Sequence, residues 1–184
     1  MSLYQAVIDA LNAGGVIAYP TEAVYGLGCD PDNEAAVLAL LAIKQRPVEK
    51  GLILVAANYS QLLPYVDDNA IPLEKRYQIF SSWPGHVSWV LPASQAAPKW
   101  ITGQFDSIAV RVSAHPVVQQ LCLTYGKPLV STSANLSGQP AITDKDELEH
   151  SLGAMLAAIV PGALGGATQP SQIRHALTGD IVRS

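Results

Sequence analysis

Three short stretches of the chain concentrate side chains that can do chemistry. KQRPVEK, residues 44–50, gathers Lys44, Arg46 and Lys50, three of the eleven basic side chains in the sequence. It lies between an apolar run with helical spacing and the apolar run GLILVAA, which leaves two readings open. The cations either complement the negative end of a helix dipole, or line a crevice at a strand end and neutralise a polyphosphate. STSANLSG, residues 131–138, follows the apolar PLV and offers five hydrogen-bonding side chains: Ser131, Thr132, Ser133, Asn135 and Ser137. Such a cluster is a plain turn or a ligand cradle. PTEAVYGLG, residues 20–28, sets Thr21 and Glu22 at the exit of an apolar run, where Glu22 caps a helix or pairs with a lysine in the simplest reading.

Further along, Arg111 projects from SIAVRV; it is a surface partner for Asp106, or a planar fork suited to a carboxylate. His86 in WPGHVSWV is a structural histidine or a titrating group at a pocket mouth. Cys29 has no histidine near it in sequence and reads as a small buried apolar side chain. The usual nucleotide and metal signatures are missing: there is no GxxxxGK[ST], no third glycine after Gly26 and Gly28, no HExxH and no CxxC. A nucleotide site in this chain must be built in another way.

These residues need elements to hold them. At 184 residues, 49% hydrophobic and only 14% charged, the chain is expected to fold as one compact domain over residues 1–184, not as a disordered segment. A formal charge of −4 argues against a strongly basic nucleic-acid binder. Two cysteines exclude a disulfide scaffold, and neither a leader nor a long apolar span opens the sequence, so a cytoplasmic protein with no membrane contact is expected. Apolar periodicity predicts helices up to about residue 13, over 34–45 with Asp32 or Asn33 as cap, and near 69–82, 115–125 and 143–152. Apolar runs predict strands at 15–20, 51–57, 86–92, 107–112, 127–133 and 155–161, with a closing hairpin around Thr178-Gly179. TEAVYGLGCDP is expected as a loop. Strands alternating with helices indicate an α/β fold, and the hairpin points to a mixed sheet.

Taken in order, PTEAVYGLG, KQRPVEKGL, WPGHVSWV, SIAVRV, STSANLSGQP and PSQIRHALTGDIVR resemble the YrdC/TsaC family of threonylcarbamoyl-AMP synthases over nearly the whole length. The resemblance implies a twisted mixed sheet, parallel and antiparallel, flanked by helices around a large concave cavity. It also implies synthesis of threonylcarbamoyl-AMP and pyrophosphate from L-threonine, bicarbonate and ATP with Mg2+, the adenylate passing to a tRNA threonylcarbamoyl transferase complex. By motif position, Lys44, Arg46 and Lys50 resemble the family's phosphate-contacting cations. Ser133, Asn135 and Arg183 resemble its further ATP contacts, and Thr21, Arg111, Ser131 and Ser171 its threonine contacts; the Mg2+ ligands are not identified by the resemblance. The chain departs from the family pattern at Ala23, His86, Ser88 and His175, and in the strand after Lys50, where a histidine is common, it offers Val55 or its neighbours. The competing reading is a non-catalytic RNA-binding or ribosome-maturation module, in which the same cations attract RNA phosphates.

Overall fold

The computed structural model describes residues 3–183. In chain order the regular elements are α1 (Leu3–Asn12), β1 (Ile17–Pro20), β2 (Tyr25–Gly28), α2 (Glu34–Lys44), β3 (Ile53–Ala56), α3 (Leu73–Ser81), β4 (Val87–Pro92), α4 (Lys99–Thr102), β5 (Ser107–Val112), α5 (Pro116–Tyr125), β6 (Leu129–Ser133), α6 (Lys145–Leu152), β7 (Ala158–Ile159), β8 (Gln172–His175) and β9 (Ile181–Arg183). The strands form one sheet in the order β7-β1-β2-β6-β3-β5-β4-β8-β9. Pairings β1/β7, β3/β5 and β4/β8 are parallel, and β1/β2, β2/β6, β3/β6, β4/β5 and β8/β9 are antiparallel, so the sheet is mixed.

Alternation along the strands divides the sheet into two unlike faces. Ala18, Leu27, Val130, Leu54, Val110 and Trp89 point to one face, where α2 supplies Val37 and Leu40, α3 Ile79, α4 Ile101 and α6 Leu148 to a single apolar core. The other face is covered for only part of its extent. There α1 lays down Val7, Ile8 and Leu11, and α5 lays down Val118, Leu121 and Cys122, over Tyr19, Val55 and Leu129. Continuing along the same strand faces, Ser131, Ser133, Ile53, Ala109 and Arg111 lie beyond the cluster that α1 and α5 cover and line a cavity instead.

Several elements differ from the sequence expectation for identifiable reasons. The segment expected as a loop contains β2, paired with β1 in a hairpin whose register runs from Pro20 opposite Tyr25 to Ile17 opposite Gly28. Thr21 closes this corner: its backbone N–H and its hydroxyl both donate to the Val24 carbonyl, at 3.2 and 2.6 Å. Glycines in alternate positions hid the strand, because they contribute nothing to a β-propensity count. They are there because Tyr19 lies across them and donates to the Val130 carbonyl at 3.0 Å; a Cβ on Gly28 would stand 2.4 Å from that same oxygen. The helix expected from 69 starts at Leu73, with Pro72 as its N-cap and a 3₁₀ turn over Asp68–Ala70 before it. The run expected as a strand over 155–161 keeps only Ala158–Ile159, and α4 was not anticipated. For α2 the cap is Asn33, whose side chain accepts from Ala36 N–H at 3.1 Å. Gln45, in the left-handed conformation, ends the helix.

Candidate active site

The uncovered half of the second face is a cavity of about 720 Å³. Its walls carry Lys44, Arg46, Lys50, Thr21, Arg111, Ser131, Ser133, Ser171 and Arg183. These nine positions come from a helix end, loops and strands up to 162 residues apart in sequence, and the sheet order brings them together by placing β6, β3 and β5 side by side. Asn135 is not on the wall itself and reaches it through Lys44.

The cations do not share one environment. Lys44, at the C-terminal end of α2, donates to the Ser133 carbonyl at 2.8 Å and to the Asn135 side-chain oxygen, so it ties α2 to the chain leaving β6. Burial first, and the neighbouring Arg46 charge second, lower the pKa of this amine from the ordinary lysine value. Arg46 clamps the Gly51 carbonyl through Nε and Nη2, at 3.1 and 3.0 Å. Gly51 has φ 73, a left-handed backbone that favours glycine. The clamp fixes the entry to β3 while the remaining Arg46 donors are open to the cavity. Lys50 is exposed on the cavity wall, and its side chain has no hydrogen-bond or ion-pair partner among the described residues. Of the two initial readings, a helix-end cation describes Lys44 best, whereas Arg46 and Lys50 stand in the loop beyond.

Arg111 sits farther along the sheet. It is paired in register with Val55, whereas Lys50 and Gly51 precede Ile53, so cations and arginine occupy separate levels of one strand pair. The partner of Arg111 is neither Asp106 nor the solvent: Nη1 donates to Glu22 Oε2 at 2.7 Å, with the two side chains only 6% and 12% exposed. Both Glu22 oxygens lie 3.1 Å from the Ser113 hydroxyl. Burial pushes the Glu22 carboxyl up, but the Arg111 charge and hydrogen bond, with Ser113, outweigh it and hold the group below the ordinary carboxylate value. Neither the helix-cap nor the lysine-pair reading of Glu22 survives. Local sequence carried no signal for its true partners, which lie 89 and 91 residues away.

The closing hairpin completes the wall. Arg183 in β9 donates to the Ser171 carbonyl through Nε and Nη2 at 3.0 and 2.8 Å, and to the Ser171 hydroxyl at 3.1 Å. That hydroxyl also meets Ser88 at 3.0 Å, which gives the Ser88 departure a partner. Desolvation first, and the Arg111 charge second, lower the Arg183 pKa from the ordinary arginine value. Ser131 lines the wall, and the carbonyl of its neighbour Val130 accepts from the Tyr19 hydroxyl at 3.0 Å. Val55 is fully buried in the core under α1 and α5, and it is Ile53 that β3 presents to the cavity. His86 lines the cavity and donates Nε2–H to the Gln169 carbonyl at 2.7 Å, because a carbonyl can only accept. His175 lines it as well, with Nδ1 facing the N–H groups of Leu177 and Thr178 in the hairpin turn. Cys29 is fully buried, its thiol pushed up to about 12, first by burial and then by Asp30, which agrees with an inert apolar role. No three His, Cys, Asp or Glu side chains among the described residues are grouped to hold a metal ion.

Comparison with known proteins agrees with this architecture. The chain is 58% identical over 179 residues to a Vibrio cholerae serotype O1 protein named threonylcarbamoyl-AMP synthase, with 97% of this chain and 95% of the relative covered. A Pseudoalteromonas translucida protein of the same name is 59% identical over 182 residues, covering 99% of this chain and 97% of the relative. Among solved structures, the chain is similar to P. abyssi Sua5 complexed with L-threonine, with TM-score 0.86 and 31% identity over 94% of this chain; it spans about half, 50%, of that longer protein. The Sua5/YciO/YrdC family model, described as telomere recombination, matches residues 9–184. With the fold, the cavity and both sequence relatives in agreement, the chain belongs to the Sua5/YciO/YrdC family.

Proposed function

We propose that the chain is a threonylcarbamoyl-AMP synthase, a nucleotidyltransferase that converts L-threonine, bicarbonate and ATP into threonylcarbamoyl-AMP, pyrophosphate and water. The observation that carries this reading is the separation, within one cavity, of a carboxylate-type arginine from a group of cations. An amino acid held at the Arg111 level presents its amine toward the middle of the cavity, while a triphosphate extends along Arg46 and Lys50. The amine and bicarbonate combine to a carbamate, and a carbamate oxygen attacks the α-phosphorus and expels pyrophosphate.

Two anions must meet in that step, and the protein's contribution is positioning and charge neutralisation. Lys50, whose side chain has no partner among the described residues, and Arg46, anchored at Gly51, serve the phosphates. Lys44 holds Ser133 and Asn135 in the shape that receives the nucleotide, with Arg183 on the far wall bonded to Ser171, a threonine contact in this reading. Arg111 takes the threonine carboxylate as a planar fork, a geometry that lysine lacks; Thr21 and Ser131 stand beside it. Mg2+ accompanying the ATP phosphates would supply further charge neutralisation. No helix among the described residues is long and apolar enough to cross a membrane. In this reading the enzyme works in the cytoplasm and passes its adenylate to a tRNA threonylcarbamoyl transferase complex. Names of the close relatives favour this reading over a non-catalytic RNA-binding module. The test is pyrophosphate release from ATP and bicarbonate with and without L-threonine: release that depends on threonine is expected, and RNA binding without turnover would contradict the synthase.

A further inference from the structure

Building on the reading of Arg111 as the arginine that takes the threonine carboxylate, we propose that Glu22, itself set by Ser113, is a positioning residue that fixes the Arg111 guanidinium in its reading orientation. Arg111 is part of the cavity wall, whereas Glu22 and Ser113 are not. They therefore act on the substrate only through the arginine. A guanidinium has five N–H donors in one rigid plane. Glu22 engages Nη1 at 2.7 Å, and no other described group accepts from the Arg111 guanidinium, so one corner is tied behind the wall and the other donors remain for a ligand. Tying one corner of a rigid plane restricts where the whole fork points.

The tether is itself held from several sides. The Ser113 hydroxyl lies 3.1 Å from both carboxylate oxygens of Glu22 and accepts from the His115 N–H at 3.0 Å. The Glu22 backbone carbonyl accepts from Ala167 N–H at 2.8 Å, which stops the residue from swinging with its side chain. Ser113 is fully buried, so the clamp is sheltered from water. A buried ion pair contributes little net stability in general, because desolvation offsets the attraction. Its value here is geometric. An arginine held in advance gives up its rotamer freedom before the amino acid arrives, so that loss does not weaken binding.

The experiment is steady-state kinetics in threonine and in ATP for the wild type and for Glu22→Gln, Ser113→Ala and Arg111→Ala, with the thermal midpoint of each. Glutamine retains a neutral acceptor but loses the charge that strengthens the bond. Glu22→Gln is expected to raise the threonine KM about fivefold or more, with kcat and the ATP KM within about twofold of wild type, the pattern for lost binding that is uniform between ground and transition states. Ser113→Ala is expected to move the same constant in the same direction by less. A threonine KM at or below the wild-type value in Glu22→Gln would overturn the inference, since Glu22 would then be a competitor of the substrate carboxylate. Equal losses for both substrates with a lowered midpoint would overturn it in favour of a purely structural role. If Glu22→Gln does not fold, Ser113→Ala decides, and an unchanged threonine KM there refutes the clamp. Should Arg111→Ala itself leave the threonine KM unchanged, the reading of Arg111 falls and the inference with it, whereas an effect at Arg111 without one at Glu22 removes the inference alone.

Discussion

Arg46 and Lys50 come from one seven-residue stretch, yet truncating them has different consequences. The Lys50 side chain has no partner to lose among the described residues, so Lys50→Ala should leave folding intact and cost about 2–4 kcal/mol of transition-state stabilisation, the range for one preorganised charged donor. Arg46→Ala should cost a similar amount in kcat/KM and also leave the Gly51 carbonyl without its clamp, lowering stability by about 1–3 kcal/mol. Measured kcat/KM values near wild type in both variants, with native circular dichroism, would eliminate the phosphate role. At this scale the sequence disclosed residue types and little about their partners. Lys44, Arg46 and Lys50 were visible as a cluster because they are adjacent. The division of labour among them was not, since Lys44 is set by Ser133 and Asn135, 89 and 91 residues away. Glu22 was singled out as an acid at a strand exit, but its arginine sits on a strand that only the folded sheet brings near.

The hairpin of β1 and β2 shows what an element-level reading can miss. Alternating Tyr25 and Leu27 already had the period of a strand, but the intervening glycines removed its propensity signal. Those glycines exist for Tyr19, whose ring crosses β2 to reach Val130 on β6. Gly28→Ala would place its Cβ 2.4 Å from a backbone oxygen and 2.7 Å from the Tyr19 ring. Neither neighbour is the far end of a flexible chain, so destabilisation of about 1–3 kcal/mol is expected, as for other overpacked cores. A urea midpoint equal to wild type would show that the close approach is not required. Where periodicity was unambiguous, as in α2, α5, β4 and β5, the elements lie close to their expected positions. Boundaries moved where proline or a 3₁₀ turn intervened, as before Leu73.

For the whole molecule, the α/β class and the mixed sheet follow from the order of apolar runs and the closing hairpin, but the strand order does not. Without it the cavity cannot be located, because its walls depend on β6 lying between β2 and β3. The pH response of the fold is a further whole-molecule property. Glu22 and Asp30 are held below the ordinary carboxylate value despite burial, by Arg111 and Lys127 respectively. Their stabilisation is present above the unfolded carboxylate pKa and is lost as pH falls through the folded one. Cys29 and Cys122 are pushed up to about 12, mainly by burial. They stabilise the fold fully below the unfolded thiol pKa of about 8.5, and that contribution fades as pH rises toward the folded value. The urea midpoint should therefore be flat near neutrality and fall on both sides, with the acid arm shallower in Glu22→Gln. A midpoint unchanged between about pH 7 and 10 would contradict the burial of the two thiols.

The central claim is that one cavity sorts two substrates by level, with threonine at Arg111 and the nucleotide at the cations. Isothermal titration of Arg111→Lys and Lys50→Ala with threonine and with ATP, each ligand separately, tests it most directly. Arg111→Lys keeps the charge and loses the fork, so threonine affinity should fall by about tenfold, roughly 1.4 kcal/mol, with ATP affinity nearly unchanged. Lys50→Ala should do the reverse. Equal losses for both ligands in both variants would contradict the assignment of the two levels.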